Sequence, residues 1–224
     1  MKTVIVISAI AEWDAVKPLF PEAKIEYFPF GECFNASIGK YSLGFFHSGW
    51  GKIASAGAMQ FVIDKYSPDL IVNLGTCGGF EGTIEQGDVI LVDKTYVYDI
   101  VELMRDPNVA AYYATSLDLS WLAEPYPHPA RRGMIASADG DLVPEKIPFL
   151  RSIGAIAADW ESAALAWVAQ KNNAHLLILR AVSDMVNEQG GEAYDHIEIF
   201  NQRAKESMRE LIMQLPAWLD AVRL

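Results

Sequence analysis

Residues 174–184 read AHLLILRAVSD and form the most apolar run of the chain. The segment from His175 to Val182 is long and apolar enough to predict a strand that is buried on both faces. Asp184 follows this strand, and open α/β sheets bind ligands at the carboxyl ends of their strands. The run therefore predicts an α/β fold with a candidate site residue at Asp184. The alternative is an ordinary loop or helix-capping aspartate.

The composition limits what kind of protein this can be. The chain has 224 residues, of which 51% are hydrophobic, so we expect one domain, residues 1–224, around one large core. The net charge of −11 argues against nucleic acid or an anionic membrane as partner. Two cysteines, Cys33 and Cys77, give neither a disulfide framework nor zinc-site spacing, which favours a reducing cytoplasm. No apolar run approaches the length of a membrane span.

Strand and helix patterns alternate along the chain, which predicts a three-layer α/β domain around a twisted, mixed central sheet. From Tyr96 to about Arg132 the periodicity weakens, and we expect a long excursion that forms a lid or an oligomer contact. The long C-terminal helix carries Pro216 and is expected to be interrupted there. Strands are predicted at 3–8, 33–38, 42–47, 70–74, 88–93, 133–136, 155–158 and 175–182, and helices at 12–19, 54–66, 161–171 and 195–222.

Several short segments follow predicted strands and could bind a ligand. GTCGG (75–79) is predicted as a loop in which glycines allow close backbone approach, the alternative being a tight turn with positive φ. The acids of DWES (159–162) stand at a predicted helix start, where the helix dipole favours acidic residues even without a ligand. The tryptophan between them has no capping role, but its face beside a carboxylate suits a sugar. Lys52, in SGWGK (48–52), could meet an anion at a helix N-terminus. Glu12 follows the first strand, where an ordinary helix-start acid is the alternative.

Taken in order, GTCGG, DWES and RAVSD (180–184) resemble the nucleoside phosphorylase and nucleosidase superfamily. Within it they are most similar to the 5′-methylthioadenosine/S-adenosylhomocysteine nucleosidase branch, and the similarity extends to SGWGK and to QGDVILVD (86–93). The resemblance implies a nucleoside phosphorylase-like fold and a homodimer. It also implies hydrolysis of a purine nucleoside, without metal or cofactor, to free base and ribose.

The resemblance also implies a role for individual residues. Asp184 would be the general acid that protonates the purine N7, and Glu12 would activate the attacking water. Glu161 would hold the ribose hydroxyls. The remaining candidates are binding residues: Ser183 and Arg180 beside Asp184, Trp160 under the sugar, Thr76, Cys77 and Gly78 beside ribose and base, Asp141 and Leu142 at the base, and Trp50 near the 5′ substituent.

Two departures from related phosphorylases favour water over phosphate as the nucleophile. Asn73 stands where hexameric phosphorylases carry an arginine, and an amide cannot neutralise phosphate. The first loop, residues 8–10, lacks the glycine and arginine that cradle phosphate in those enzymes.

Other departures leave the assignment open. Alignment on Ala9 puts Trp13 at the position of the water-activating glutamate, so Glu12 requires a shift of one residue, with Asp14 in reserve. Three tryptophans are expected near one pocket, namely Trp13, Trp50 and Trp160. Asp141 replaces a base-stacking phenylalanine of bacterial members. Futalosine hydrolysis and non-catalytic nucleoside binding on the same fold are therefore kept as alternatives.

Overall fold

The alternation of apolar side chains in the first strand, β1 (Thr3–Ile7), shows how the fold builds two cores. Ile5 and Ile7 belong to one buried apolar cluster, and Val4 and Val6 belong to another on the opposite face of the strand. The structure, a computed structural model, describes residues 1–104, 106, 108–187 and 189–224. Arg105 and Pro107, in the predicted excursion, lie outside the described residues.

The predicted elements are present in the predicted order with shifted boundaries. The remaining strands are β2 (Glu26–Phe28), β3 (Gly31–Ile38), β4 (Tyr41–His47), β5 (Leu70–Phe80), β6 (Val89–Val97), β7 (Thr115–Ser116), β8 (Arg131–Ser137), β9 (Ala155–Asp159), β10 (Leu176–Asn187) and β11 (Gly190–Gly191). The helices are α1 (Ile10–Val16), α2 (Gly51–Tyr66), α3 (Asn108–Tyr112), α4 (Ile147–Ser152), α5 (Ser162–Lys171) and α6 (Ile197–Asp220). Of these, β2, β7, β11, α3 and α4 are additional elements that the sequence pattern did not predict. Short 3₁₀ turns follow α1 (Lys17–Leu19) and precede α4 (Pro144–Lys146).

The central sheet is mixed, and it closes on itself. β1 runs parallel to β4 and to the first half of β5, while β10 runs parallel to β5 along its length. From β10 the pairing continues through β6, β8 and β9, and β9 returns to β5 at Gly78 and Gly79. The strands β5, β10, β6, β8 and β9 therefore form a closed ring, and β1, β4, β3 and β2 extend the sheet from β5.

Helices cover both faces of the sheet, so the predicted α/β class and layering are confirmed. α1 packs against α6, whose Met208, Leu211 and Leu215 fill the core on the Ile5 side of β1. α2 packs against α5, and their Met59 and Leu165 fill the core on the Val4 side.

The prediction that GTCGG forms a loop is wrong, because β5 continues as a strand through these residues to Phe80. The alternative of positive φ is also wrong, since none of its three glycines has it. The glycines are needed for space instead. A Cβ on Gly79 would lie 2.6 Å from Val182 Cγ1 of β10 and 2.8 Å from Ile84 Cγ2.

The strand that was predicted to end before Asp184 also runs further. β10 continues to Asn187, and its register with β5 shifts between Val182 and Asp184. The shift is a β-bulge at Ser183, the kind of irregularity that redirects a side chain beside a functional site. Asp184 therefore lies within a strand, and not beyond one.

Two further expectations concern the second half of the chain. The expected interruption of α6 is wrong, since the helix continues from Ile197 to Asp220 with Pro216 inside it. The excursion begins after Val97, and β7 within it pairs with β6. In the part of the chain that the structure describes, no helix has both the length and the apolar character to span a membrane.

Candidate active site

A cavity of about 580 Å³ lies where the ends of β1 and β9 meet the second halves of β5 and β10. Eleven of the twelve predicted site residues line it: Glu12, Trp50, Thr76, Cys77, Gly78, Asp141, Leu142, Trp160, Glu161, Ser183 and Asp184. The twelfth, Arg180, lies behind the wall. The sequence therefore located the cavity, although the role of each residue stays a prediction.

Glu12 lies in the first turn of α1 and faces the cavity from the end of β1. Its Oε1 accepts hydrogen bonds from the Thr76 N–H at 2.6 Å and the Thr76 hydroxyl at 2.8 Å, and its Oε2 lies 3.3 Å from the Ala9 N–H. Burial raises the pKa of Glu12, while Arg180 and the Thr76 hydrogen bonds oppose that rise. The carboxyl group is thus fixed in place and reaches β5.

Trp13 does not lie at the cavity, contrary to the expectation of three tryptophans there. Its indole is fully buried, stacks on His47 and donates a hydrogen bond to Glu32 at 2.7 Å. This packing turns Trp13 toward the core and Glu12 toward the cavity, so the one-residue shift is accommodated by the orientation of α1. The reserve residue, Asp14, is exposed and pairs with Lys17.

Asp184 is buried on the opposite wall. Its Oδ1 accepts a hydrogen bond from the Ser183 hydroxyl at 2.7 Å, and that hydroxyl also lies 3.3 Å from the Cys77 carbonyl oxygen. Burial raises the pKa of Asp184, although the Ser183 hydrogen bond and the charge of Arg203 oppose this. A carboxyl group with a raised pKa is suited to donate a proton.

Glu161 immediately precedes α5 and is also buried. Its Oε1 accepts a hydrogen bond at 2.9 Å from the N–H of Gly51, the first residue of α2. Burial, reinforced by the negative charge of Asp159, raises the pKa of Glu161 to about 8. Near neutral pH this group therefore keeps its proton in the folded chain.

Arg180 does not hold Asp184. Its Nε donates to Asp159 at 2.8 Å and its second guanidinium nitrogen donates to the Asn73 side-chain oxygen at 2.6 Å. Asp159 in turn accepts a hydrogen bond from Ser137 at 2.5 Å. Arg180 is on β10 three residues before the bulge at Ser183, and it belongs to a buried ion-pair network beneath Glu12.

The β5 residues contribute mainly backbone to the cavity. Thr76 is the exception, since its hydroxyl binds Glu12. The Cys77 side chain is buried, its Sγ lies 3.8 Å from the Ala181 carbonyl oxygen, and burial raises the pKa of the thiol well above its usual value. Cys77 is therefore a neutral wall residue and not a nucleophile.

The wider rim of the cavity is aromatic and acidic. Trp50 and Trp160 are partly exposed, and Asp141 is exposed beside the buried Leu142. Lys52 is not available to an anionic ligand, because it pairs with Asp99 and with Asp139.

Several cavity residues were missed by the sequence reasoning. Tyr98 follows β6, and Tyr194, His196 and Phe200 come from the segment that joins β11 to α6 and from the start of α6. The run AYDHIEIF (193–200) held an aromatic signal, but it has no strand before it that would have marked a sheet edge.

The cavity can supply acids and hydrogen-bond acceptors but little positive charge. Among the described residues that line it, none is a lysine or arginine. Nor do the described residues contain a group of three or more His, Cys, Asp and Glu side chains placed to hold a metal ion.

Comparisons with known proteins agree with this geometry. The family model described as "Phosphorylase superfamily" matches residues 3–215. Two similar relatives are 5′-methylthioadenosine/S-adenosylhomocysteine nucleosidases. The one from Oceanobacillus iheyensis is 27% identical over 186 residues, covering 75% of this chain and 78% of the relative. The one from Staphylococcus carnosus is 29% identical over 181 residues, with the same coverage.

A solved structure shows the same fold. The Streptococcus pneumoniae MTA/SAH nucleosidase in complex with 8-aminoadenine superposes with a TM-score of 0.79 at 22% identity. The match covers 99% of this chain and 100% of the other.

Proposed function

This chain belongs to the phosphorylase superfamily, and on that premise we propose that it is a purine nucleosidase. It hydrolyses the N-glycosidic bond of 5′-methylthioadenosine, S-adenosylhomocysteine or a related nucleoside to the free base and a ribose that keeps its 5′ substituent, as the names of its relatives suggest. The observation that carries the proposal is the meeting of three buried carboxyl groups, Glu12, Glu161 and Asp184, in one cavity.

Asp184 is the general acid in this proposal. Cleavage moves the electron pair of the glycosidic bond onto the purine, and a proton at N7 neutralises the charge that develops there. Burial raises the pKa of this carboxyl group, which favours the protonated form that this step needs. Ser183 fixes the rotamer of Asp184 through the 2.7 Å hydrogen bond to Oδ1.

Glu12 is the general base. Departure of the purine leaves an oxocarbenium-like sugar. A water molecule attacks this sugar and gives its proton to a carboxylate. Two hydrogen bonds from Thr76 and the nearby charge of Arg180 favour the ionised form of Glu12, and so counteract the effect of burial. The same fold thus gives the two carboxyl groups opposite tasks.

Glu161 and Trp160 hold the sugar. A carboxyl group accepts hydrogen bonds from ribose hydroxyls, and the face of an indole covers apolar parts of the ring. The Gly51 N–H anchors one oxygen of Glu161, which keeps the group oriented before the substrate arrives.

Water, and not phosphate, is the nucleophile, because the described cavity lining carries no lysine or arginine. Asn73, at the position of the phosphorylase arginine, is buried outside the cavity and bonds to Arg180 and to the Val6 carbonyl. Chromatography of a nucleoside panel, futalosine included, tests this. We expect adenine and 5-methylthioribose from methylthioadenosine at the same rate with and without phosphate. Release that requires phosphate and yields 5-methylthioribose 1-phosphate would contradict hydrolysis.

We also propose that the enzyme is a cytoplasmic homodimer. Both cysteines are buried free thiols, which suits a reducing compartment. The contact surface is an apolar patch formed by Ile53 on α2 and by Ile100, Val101, Leu103 and Met104, all of which are exposed. Lys52 pairs with Asp99 and so brings the two parts of this patch together beside Trp50 at the cavity.

A further inference from the structure

The N-terminus of α2 is held by carboxyl groups from distant parts of the chain. Trp50, at the N-cap position, gives the helix no side-chain hydrogen bond. The N–H of Gly51 donates instead to Glu161 at 2.9 Å, and the N–H of Lys52 donates to Asp139 Oδ1 at 2.7 Å. Two acidic side chains therefore take the place of the cap that the first turn of a helix needs.

A closed ring of contacts fixes Asp139. Its Oδ2 lies 3.2 Å from the Lys52 ammonium, so both of its oxygens bind the same residue. Asp99 pairs with that ammonium and accepts a hydrogen bond from the Asp139 N–H at 2.8 Å. Burial raises the pKa of Asp99, but the hydrogen bonds from Lys52 and from the Asp139 N–H outweigh this and leave the pKa below its usual value. The ring therefore ties the start of α2 to the segments that follow β6 and β8.

Gly51 transmits the position of Asp139 to Glu161. Its φ is +82°, and a Cβ on it would lie 2.8 Å from Asp139 Oδ1, so the backbone of Gly51 and the carboxylate of Asp139 approach closely. Among the described residues, the Gly51 N–H is the one hydrogen-bond donor to the Glu161 carboxyl group. A movement of the α2 N-terminus would therefore release Glu161.

We propose that Asp139 is a positioning residue for the ribose. Its Oδ1 accepts the Lys52 N–H and so holds the start of α2 where the Gly51 N–H orients Glu161 toward the ribose hydroxyls. The role rests on the proposed function, which assigns the ribose to Glu161. Asp139 is absent from the described residues that line the cavity, so it acts through Glu161 and not on the substrate.

Two variants of Asp139 and a control test this role. Asp139→Ala removes both contacts with Lys52, and we expect kcat/KM for methylthioadenosine to fall about tenfold as Glu161 loses its orientation. Adenine has no ribose, so its dissociation constant, measured by calorimetry, should stay unchanged. Asp139→Asn keeps an oxygen for the Lys52 N–H and should retain most of the activity. Asp93→Ala is the matched control, because it removes a carboxylate that pairs with Arg132 at 2.8 Å, and neither residue is among the described lining of the cavity.

The contrast between nucleoside and base separates positioning from general damage to the site. Wild-type kcat/KM in folded Asp139→Ala, or a matching loss of affinity for adenine, would overturn the role of Asp139. An Asp139→Asn variant as impaired as Asp139→Ala would overturn the hydrogen bond to Lys52 as its basis.

Binding of methylthioadenosine keeps this role distinct from the proposed function. If the wild type binds methylthioadenosine but releases no base, the proposed function fails. A weaker affinity of Asp139→Ala for that nucleoside, with unchanged affinity for adenine, would still support the role of Asp139. A wild type that binds neither compound would overturn both proposals.

Discussion

At the scale of single residues, four buried carboxyl groups line the cavity, and none of the described lining residues is a lysine or arginine. Asp159 pairs with Arg180 behind the wall, and the other three are Glu12, Glu161 and Asp184. Each group is stabilised by a different partner: Thr76 for Glu12, Ser183 for Asp184 and the Gly51 N–H for Glu161. Burial raises the pKa of all three, and in each case the hydrogen bond from that partner and the charge of a nearby arginine oppose the rise, Arg180 for Glu12 and Glu161 and Arg203 for Asp184.

Glu161 makes a prediction about stability and pH. Its pKa is about 8 in the folded chain against an ordinary value of 4.5, so the folded state keeps a proton that the unfolded state has lost. This contribution to stability is complete below about pH 4.5 and disappears as the pH rises through 8. Between pH 5 and pH 9, urea unfolding should show the wild type losing more stability than Glu161→Gln, by on the order of a few kcal/mol. Equal losses in the two proteins would show that the folded pKa is not raised.

The three carboxyl groups proposed to carry the chemistry, Glu12, Glu161 and Asp184, could be located at the cavity because each follows an apolar strand pattern. Tyr194 could not be predicted in this way. Its position depends on a hydrogen bond to Leu142, 52 residues earlier in the chain, and no local pattern encodes such a contact. Arg180 was placed at the wrong carboxylate for a similar reason, since the bulge at Ser183 is invisible in the sequence.

At the scale of elements, the two longest strands form the floor of the cavity. β5 and β10 are parallel and in contact from Leu176 to Val186, and both run past the points where the sequence suggested that they end. The glycines in β5 predict a loop from sequence alone, because glycine usually weakens a strand. Here they permit close approach of β10, which only the packing reveals.

Gly79 tests this explanation. A methyl group at this position would overlap Val182 and Ile84, so we expect Gly79→Ala to lower the free energy of unfolding by about 1–3 kcal/mol. Thermal unfolding would show this as a fall in Tm of roughly 2–4 °C per kcal/mol. Gly140→Ala is the matched control, since a Cβ there meets nothing within 4 Å. If Gly79→Ala is as stable as the control, the strand does not need the space.

At the scale of the whole molecule, the α/β class and the superfamily could be predicted from the order of motifs, and both are confirmed. The closure of the sheet into a ring could not, because it requires β9 to pair with β5 across nearly 80 residues of chain. Subunit assembly is also a property of the whole molecule. The apolar patch around Ile53 is exposed, and no other described part of the chain covers it.

The proposed dimer predicts a mass of about twice the 24.8 kDa of one chain in light scattering coupled to gel filtration. Ile53→Lys should shift the protein toward the monomer, because it places a charge in the centre of an apolar contact. Met213→Lys, on the exposed face of α6, should leave the mass unchanged. A wild type that elutes with the mass of one chain at micromolar concentration would refute the dimer.

The central claim is that Asp184 gives a proton to a departing purine, and the rate of adenine release by Asp184→Asn tests it most directly. Asparagine keeps the size of the side chain but has no carboxyl proton to donate, so release from methylthioadenosine should fall by about 10²–10⁴-fold. Calorimetry with adenine shows whether the variant still binds the base. Adenine release at the wild-type rate by folded Asp184→Asn would contradict the account.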